Sequence, residues 1–261
     1  MAEDDLQAER DGHVMRVWIN RPEKRNSLTA GIFSALDSLI AEVENDQRIR
    51  VMVIRGREQM LCSGFDLDEL AGTVLSGSYG WDGAAIAAPV FARLHAMKKP
   101  TICVVEGFAT AGGFELMLSC DFAVADENAR IGDLHIRRAL HGGAGPIYRL
   151  PRIVGLRRAK EIVLTGKMVT GSQAERWGLV NEAHPADQLD VAVEGWVDQL
   201  ADKSPLQMQL SKLTLNQGFE ASAEALMALE RVAFAVTMQS QDAKEGVAAF
   251  LEKRDPQWSG R

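Results

Sequence analysis

In residues 106–121, EGFATAGGFELMLSCD, the end of a strand, a loop and a helix are predicted in direct succession. Residues 100–106 (PTICVVE) are apolar almost throughout, which is typical of a strand buried on both faces. Gly107 ends that run, the glycines in residues 111–113 predict a loop, and residues 114–120 have a helical composition. A buried strand therefore leads through a glycine loop into a helix.

Glu115 lies in the first turn of that helix, among apolar neighbours. The first amides of a helix have no intrahelical acceptor, and the helix dipole favours negative charge there. Because glycines let a ligand carbonyl approach the backbone, this arrangement suits an enolate or a thioester oxyanion. Two interpretations of Glu115 are open: it complements the helix dipole, or it faces a dry cavity where a raised pKa suits proton transfer.

Short apolar runs elsewhere predict further strands, at residues 14–20, 50–56 and 121–126. Thr29 begins a helix whose apolar side chains recur at the spacing of one buried stripe, namely Ile32, Leu36, Leu39, Ile40 and Val43. Strands separated by helical segments indicate crossover connections, so the predicted fold class is α/β.

The pattern from residue 157 onward is mostly helical. Residues 172–175 (SQAE) have the form of a capping box, and Ser204-Pro205 marks another helix start. No convincing strand is found in residues 201–261. We therefore expect a core, residues 1–200, that carries the site, and a helical oligomerisation region, residues 201–261, that packs on the core or is exchanged with a neighbour.

Composition narrows the class of protein. The formal net charge of -7 argues against a nucleic-acid partner, because phosphate binding needs a concentrated basic surface. No run of about 18 apolar residues is present, so no membrane span is expected. The acidic start MAEDDLQAERDG predicts no signal peptide, and the three cysteines lack metal-ligand spacing. A reducing cytoplasm is the expected location.

Two more glycine-containing stretches could carry chemistry. Residues 61–67 (LCSGFDL) predict a turn after a strand, which by itself is more often a plain loop. Residues 135–145 place two histidines and two arginines before a glycine-rich run, although such side chains are often structural or ion-paired. Because no GxSxG, Walker or dinucleotide motif is present, neither a serine hydrolase nor a nucleotide-binding protein is supported.

In their order and spacing these segments resemble the crotonase (enoyl-CoA hydratase/isomerase) superfamily along nearly the whole chain. The resemblance is carried by NRP with RNSL, by CSGFDL, by the segment from EG to CD, by the glycine-rich run with AKEIVLTG, and by QAE with GLVN. These motifs lie in residues 20–28, 62–67, 106–121, 142–166 and 173–181.

The resemblance implies a spiral of stacked ββα turns, with C-terminal helices that help to build trimers, often paired into hexamers. It also implies an acyl-CoA substrate whose thioester oxygen is held by two backbone amides, which fall on Phe65 and Gly112. No metal and no tightly bound cofactor is implied, because the thioester and the amides supply the activation. Coenzyme A enters as part of the substrate.

Hydratases that this chain resembles usually carry two glutamates that hold a water between them. The first matches Glu115, whereas the second falls on His135 without a gap. Histidine exchanges protons near pH 7 and can share the acid/base role with Glu115. With histidine in place of the second glutamate, the resemblance does not imply ordinary syn hydration of a simple enoyl-CoA. The histidine also weakens the isomerase interpretation, because the isomerase branch relies on a carboxylate at this position. The dehalogenase branch is rejected, because residues 142–145 contain no aspartate.

Other positions match the family's substrate contacts. Those expected to contact substrate or CoA near the first loop are Arg25, Ser63, Asp66 and Leu67. Phe234 and Lys253 match positions that contact the adenine end, often across a subunit boundary, although a core aromatic and a solvated lysine are the alternatives. Residues 70–91 are expected to line the acyl pocket, where Trp81 contacts substrate or only packs.

Three functions remain open from the sequence. The first is an acyl-CoA lyase, namely an enoyl-CoA hydratase, with Glu115 as acid/base and His135 as a second acid/base or an orienting group. The second keeps the CoA site but changes the reaction to isomerisation, or to hydrolytic C–C cleavage of a cyclic acyl group, because an imidazole can activate water. The third is a silent acyl-CoA-binding or RNA-binding scaffold, which Glu115 and the acidic charge disfavour.

Overall fold

A six-stranded mixed sheet forms the centre of the computed structural model, which describes residues 5–76 and 82–261. Its spatial order is β1 (Leu6–Asp11), β2 (Val14–Ile19), β3 (Val51–Gly56), β4 (Thr101–Val105), β6 (Phe122–Asp126) and β9 (Glu182–His184). A three-stranded sheet contains β5 (Phe108–Thr110), β7 (Arg130–Gly132) and β8 (Val169–Thr170). β1 pairs antiparallel with β2, and the later pairs of the large sheet are parallel.

Strand β4 is buried on both faces, as its apolar run predicts. Cys103 and Val105 join one apolar cluster, while Ile102 and Val104 join a second cluster on the opposite face. Every residue of β4 is buried. Because both faces are covered, alternation between polar and apolar residues is absent from this strand.

Helices connect the strands and then continue alone to the C-terminal end. They are α1 (Ala30–Asn45), α2 (Leu67–Ser76), α3 (Asp82–Ala96), α4 (Gly112–Ser119), α5 (Pro146–Val154), α6 (Leu156–Thr165), α7 (Gly171–Trp177), α8 (Leu189–Ala201), α9 (Pro205–Gln217), α10 (Ala223–Gln239) and α11 (Gln241–Glu252). The predicted starts at Thr29 and Ser204 are confirmed: each side chain accepts a hydrogen bond, from Ile32 N and Gln207 N respectively, at 3.2 Å.

The α/β class is confirmed, but two local predictions differ from the structure. The short strand β5 lies between Gly107 and the predicted loop, where no strand was expected, because it pairs with β7; the helix then starts at Gly112, inside the predicted loop. The prediction of a capping box at residues 172–175 is wrong. Thr170, at the end of β8, accepts from Gln173 N at 3.2 Å, while the Ser172 hydroxyl is directed to Glu127 O. Helix α7 starts directly after β8, so its N-cap is Thr170 rather than Ser172.

The described part of residues 201–261 contains helices and no strand. Helix α10 has no buried residue, and its exposed apolar side chains continue onto α11; they include Met227, Val232, Phe234, Met238, Phe250 and Leu251. Among the described residues we find no helix with the length and apolar character needed to cross a membrane.

Lys212 and Asp121 connect α9 to the core through a buried ion pair. The Lys212 ammonium lies 2.6 Å from Asp121 Oδ2 and 3.0 Å from Lys99 O. Asp121 also accepts from the backbone and hydroxyl of Thr101, each at 2.8 Å. The aspartate that ends the glycine-loop segment therefore holds both β4 and the C-terminal helices in place.

We expect Lys212→Ala to lower the free energy of unfolding by about 3 kcal/mol, because it leaves the Asp121 carboxylate buried without its cation. Lys203→Ala is the matched control, since Lys203 pairs with Asp202 at an exposed site and should change stability by about 0.5 kcal/mol or less. Urea unfolding followed by circular dichroism measures both. Equal effects of the two substitutions would contradict the role of the buried pair.

Candidate active site

Two backbone segments meet at the candidate site, the turn after β3 and the end of β5. Cys62 forms an isolated parallel bridge with Ala109, and Thr110 N donates to Cys62 O at 3.1 Å. The Thr110 hydroxyl donates to Ser63 O at 3.0 Å. A Cβ at Gly113 would lie 2.4 Å from Cys62 O, so only glycine permits this approach.

The same approach brings the backbone amides of Phe65 and Gly112 together. A Cβ on Gly112 would lie 3.3 Å from Phe65 N and 2.8 Å from the Phe65 ring. A Cβ on Gly64 would lie 3.5 Å from Gly112 N. Gly112 N is the first amide of α4, where no intrahelical acceptor exists. The two amides that the resemblance implies are therefore neighbours in space.

Ala111 precedes α4 with an unusual backbone conformation, φ 49° and ψ -116°. This region is favourable for glycine and unfavourable for a residue with a Cβ. Ala111 N donates to Gly132 O at 3.3 Å, and Ala111 O accepts from Glu115 N at 3.0 Å. The strained residue thus sets the direction in which α4 leaves β5.

Glu115 is fully buried, at 0% exposure. Ala144 N donates to Glu115 Oε1 at 3.0 Å, and Oε2 has no hydrogen-bond partner in the described part of the chain. Burial raises the pKa of Glu115, although the Ala144 amide and the nearby His135 oppose this effect. Of the two interpretations, the geometry agrees with a carboxylate in a dry pocket.

His135 begins a short 3-10 helix (His135–Arg138) and is almost completely buried. Asp133 Oδ1 accepts from the backbone N–H of His135 at 3.1 Å and also contacts Nδ1 of the imidazole. Burial lowers the pKa of His135, but the hydrogen bond and charge of Asp133, together with the charge of Glu115, outweigh it and raise the pKa overall.

Gly142 shows that Glu115 and His135 face the same point. A Cβ built on Gly142 would lie 3.3 Å from Glu115 Oε1 and 3.3 Å from His135 Nδ1. The same Cβ would lie 2.4 Å from Pro146 Cγ, so a side chain at this position cannot be accommodated without movement. The absence of a side chain at Gly142 keeps the carboxylate and the imidazole next to each other.

Arg149 supports Glu115 from behind. Its Nη1 donates to Ser119 Oγ at 2.8 Å and to Ala144 O at 3.1 Å. The Ser119 hydroxyl in turn donates to the backbone carbonyl of Glu115 at 2.7 Å. One buried guanidinium therefore holds both the helix that carries Glu115 and the residue, Ala144, whose N–H donates to the Glu115 carboxylate.

A cavity of about 490 Å³ opens in front of the two loops. The predicted contacts that line it are Arg25, Ser63, Phe65, Asp66, Leu67 and His135. The Asp66 carboxylate accepts from Arg21 Nη1 at 2.9 Å and from Ser27 Oγ at 3.3 Å, so it also ties the N-terminal segment to the turn. The basic residues Lys24, Arg25, Arg137 and Arg138 outnumber the two aspartates of the lining, Asp66 and Asp68, although Lys24 pairs with Asp68 at 2.7 Å.

The remaining predicted site residues do not line this cavity. Gly112 and Glu115 adjoin Ala111 and His135, which do line it. Phe234 on α10 is 67% exposed, and Lys253 at the end of α11 is also exposed. Neither residue lines the cavity of its own chain. Trp81 lies outside the described residues.

Sequence patterns did not single out Asp133, Ala144 or Arg149. The Asp-x-His spacing is the one signal that could have indicated Asp133, since an aspartate two residues before a histidine can reach its ring. The contacts of Ala144 and Arg149 depend on how the loop after the 3-10 helix folds over α4. No local pattern encodes that packing.

A family model for enoyl-CoA hydratase/isomerase matches residues 9–261. The chain belongs to the enoyl-CoA hydratase/isomerase family. A 2,3-dehydroadipyl-CoA hydratase from Escherichia coli is 36% identical over 98% of this chain and 99% of that protein. A short-chain-enoyl-CoA hydratase from Clostridium acetobutylicum is 32% identical over 94% of each.

Solved structures of the family have the same fold. The crystal structure of an enoyl-CoA hydratase from Bacillus anthracis superposes with a TM-score of 0.94, at 28% identity over 98% of this chain and 100% of that one. The expected crotonase-like fold and an enzyme of the hydratase type are thereby confirmed.

We expect Ala111→Gly to raise the free energy of unfolding by about 1 kcal/mol, because glycine adopts the observed φ without strain. Ala92→Gly makes the same chemical change at an exposed position inside α3 and should lower stability by about 1 kcal/mol. Urea unfolding of both variants measures the difference. A loss of stability in Ala111→Gly as large as that in Ala92→Gly would show that the helix start is unstrained.

Proposed function

We propose that this protein is an enoyl-CoA hydratase, which adds water to an α,β-unsaturated CoA thioester or removes it from the hydroxyacyl product. One observation carries the proposal: the buried carboxylate of Glu115 and the imidazole of His135 meet at Gly142, through Oε1 and Nδ1, and the backbone amides of Phe65 and Gly112 are neighbours in the same site. The hydratase names of relatives that span almost the whole chain support it.

The amides of Phe65 and Gly112 would stabilise the thioester oxygen as it becomes negative. Attack on the β-carbon moves electron density through the double bond to this oxygen, so the enolate forms only if donors are already in position. Removing one such donor typically slows a reaction by about 10²- to 10³-fold. Because both donors are main-chain groups, their positions depend on the two glycine turns rather than on side-chain identity.

Glu115 and His135 would handle the protons. In hydration, the Glu115 carboxylate accepts a proton from water while the water oxygen bonds to Cβ and the Cα–Cβ double bond is lost. The His135 imidazolium then gives its proton to Cα, and the enolate collapses to the thioester. The raised pKa values of both groups suit these roles, since Glu115 becomes a stronger base and His135 stays protonated to higher pH.

The basic residues of the cavity suit the phosphates of coenzyme A, which would enter as part of the substrate with no separate tightly bound cofactor. Arg25, Arg137 and Arg138 line the cavity, together with Lys24, which also pairs with Asp68. Contacts of Phe234 and Lys253 with the adenine end would then come from a neighbouring subunit, because neither residue reaches the cavity of its own chain.

We place the oligomeric contacts in residues 201–261 and the site in residues 1–200. The exposed apolar side chains of α10 and α11 support a homotrimer, or a hexamer built from trimers, since isolated soluble proteins rarely leave such a surface uncovered. The acidic net charge and the three free cysteines agree with the proposed cytoplasmic location and an absence of nucleic-acid partners.

A second candidate function is hydrolytic C–C cleavage of a cyclic acyl-CoA, or double-bond isomerisation in the same site. The contact between Asp133 and His135 favours it, because an imidazole held by a carboxylate can activate water. Product mass separates isomerisation from the other two reactions, and fragmentation by tandem mass spectrometry separates a hydrated ring from an opened one. Hydration and ring cleavage both add one water, but only cleavage opens the ring, and isomerisation leaves the mass unchanged.

For the proposed reaction, we expect Glu115→Gln to lower kcat for crotonyl-CoA hydration by about 10²- to 10⁴-fold, because glutamine cannot accept the proton. Glu106→Gln is the control and should keep wild-type kcat, since Glu106 is also a buried carboxylate but forms an ion pair with Arg55. Both are assayed by mass spectrometry across short, long, aromatic and cyclic acyl-CoAs. Full activity of Glu115→Gln on every accepted substrate would remove Glu115 from the mechanism.

We also expect Gly142→Ala to lower kcat by about 10²-fold, because its Cβ would separate Glu115 from His135 and displace one of them. Gly143→Ala, in the same loop, places its Cβ in open space and should keep wild-type activity. Steady-state kinetics of the two variants gives the comparison. Equal activities would mean that the carboxylate and the imidazole do not act at one point.

A further inference from the structure

Asp133 is a buried carboxylate whose position calls for an explanation beyond the turn in which it lies. It is 1% exposed and lies between β7 and the 3-10 helix. Its Oδ1 accepts from the backbone N–H of His135 and also contacts the Nδ1 of the imidazole. The backbone nitrogen and the imidazole Nδ1 of His135 therefore both contact the same carboxylate oxygen of Asp133.

A turn accounts for only one of these two contacts. Aspartate and asparagine both accept the N–H of the residue two positions later, and both stabilise such a turn. Asp126 makes this contact with Asn128 N at 2.7 Å, while the imidazole of His184, its register partner on β9, pairs through Nε2 with Glu182 instead. At Asp133 the charge itself is also buried, which is unfavourable unless a partner compensates it. His135 is the partner in contact with it.

We propose that Asp133 is a positioning residue, which holds the proton on Nδ1 of His135 so that Nε2 is the nitrogen that exchanges a proton with substrate. The inference rests on the proposed hydratase reaction for the identity of that substrate. A carboxylate bonded to Nδ1–H selects one tautomer and stabilises the imidazolium. In hydration the proton leaves Nε2 for Cα, while the contact between Asp133 and Nδ1 is kept.

The charges around His135 agree with this assignment. Asp133 and Glu115 are the carboxylates whose charges favour the imidazolium. Of the two arginines that follow in the same 3-10 helix, Arg137 donates to Gly166 O and Arg138 donates to Arg137 O. The loop that covers the imidazole, residues 142–145, contains no titratable side chain. With both carboxylates ionised and His135 protonated, the site carries one net negative charge, like two glutamates that share a proton.

Asp133→Asn tests the proposal, because asparagine keeps the turn and removes the charge. In the pH dependence of kcat for crotonyl-CoA, or for the best substrate of the panel, the basic limb reports loss of the His135 proton. We expect this limb to move to lower pH by about one pH unit or more and kcat to fall about 10-fold or more. Asp126→Asn should keep the wild-type profile. An Asp133→Asn profile that superimposes on the wild type overturns the proposal.

A measurement on the wild-type protein covers the case in which Asp133→Asn does not fold. The chain has five histidines, and ¹⁵N NMR of histidine-labelled protein with His135→Gln for assignment identifies the His135 signals. We expect neutral His135 to carry its proton on Nδ1. A proton on Nε2 contradicts the proposal, whether or not any acyl-CoA is hydrated. A protonated Nδ1 in a protein without hydratase activity supports the positioning role and counts against the proposed function alone.

Discussion

The contact between the backbones of Cys62 and Gly113 is the constraint on which the site depends. Because Gly113 has no side chain, the Cys62 carbonyl oxygen occupies space that a Cβ would need. Gly112 and Gly64 allow an equally close approach around the amide of Phe65. Hydrogen bonds from Thr110 hold the two segments at this distance. Main-chain donors placed in this way need no reorganisation during a reaction, which is why such sites stabilise developing charge effectively.

Buried charge is the second determinant of the site, and each buried charge has a specific support. The Glu115 carboxylate accepts a hydrogen bond from the N–H of Ala144, and the carbonyl of Ala144 accepts one from Arg149. The His135 imidazole is in contact with the Asp133 carboxylate through Nδ1. Burial favours the neutral form of both Glu115 and His135, while their mutual attraction favours the charged forms. Burial prevails at Glu115 and raises its pKa, whereas at His135 burial is outweighed by Asp133 and Glu115, which raise the pKa of the imidazole.

Much of the fold could be predicted from local patterns. Strand β4 is recognisable as a continuous apolar run, because both of its faces are buried, and α1 is recognisable from the helical period of its buried stripe. Strand β5 and the cap at Thr170 were not recognisable, since the strand exists only by pairing with β7 and the cap position depends on where β8 ends. Contacts made with distant parts of the chain leave no periodic signal.

By itself, the sequence determined the α/β class, the glycine turns, the family resemblance and the candidates Glu115, His135, Phe65 and Gly112. These features are local, because a glycine, a helix start or a motif is readable within a few residues. Only the tertiary structure decided that the Glu115 carboxylate is buried and that it faces the imidazole. It also revealed Asp133 and Arg149 as their supports. Burial and opposition across Gly142 arise when segments far apart in the chain pack together, and no single segment contains that information.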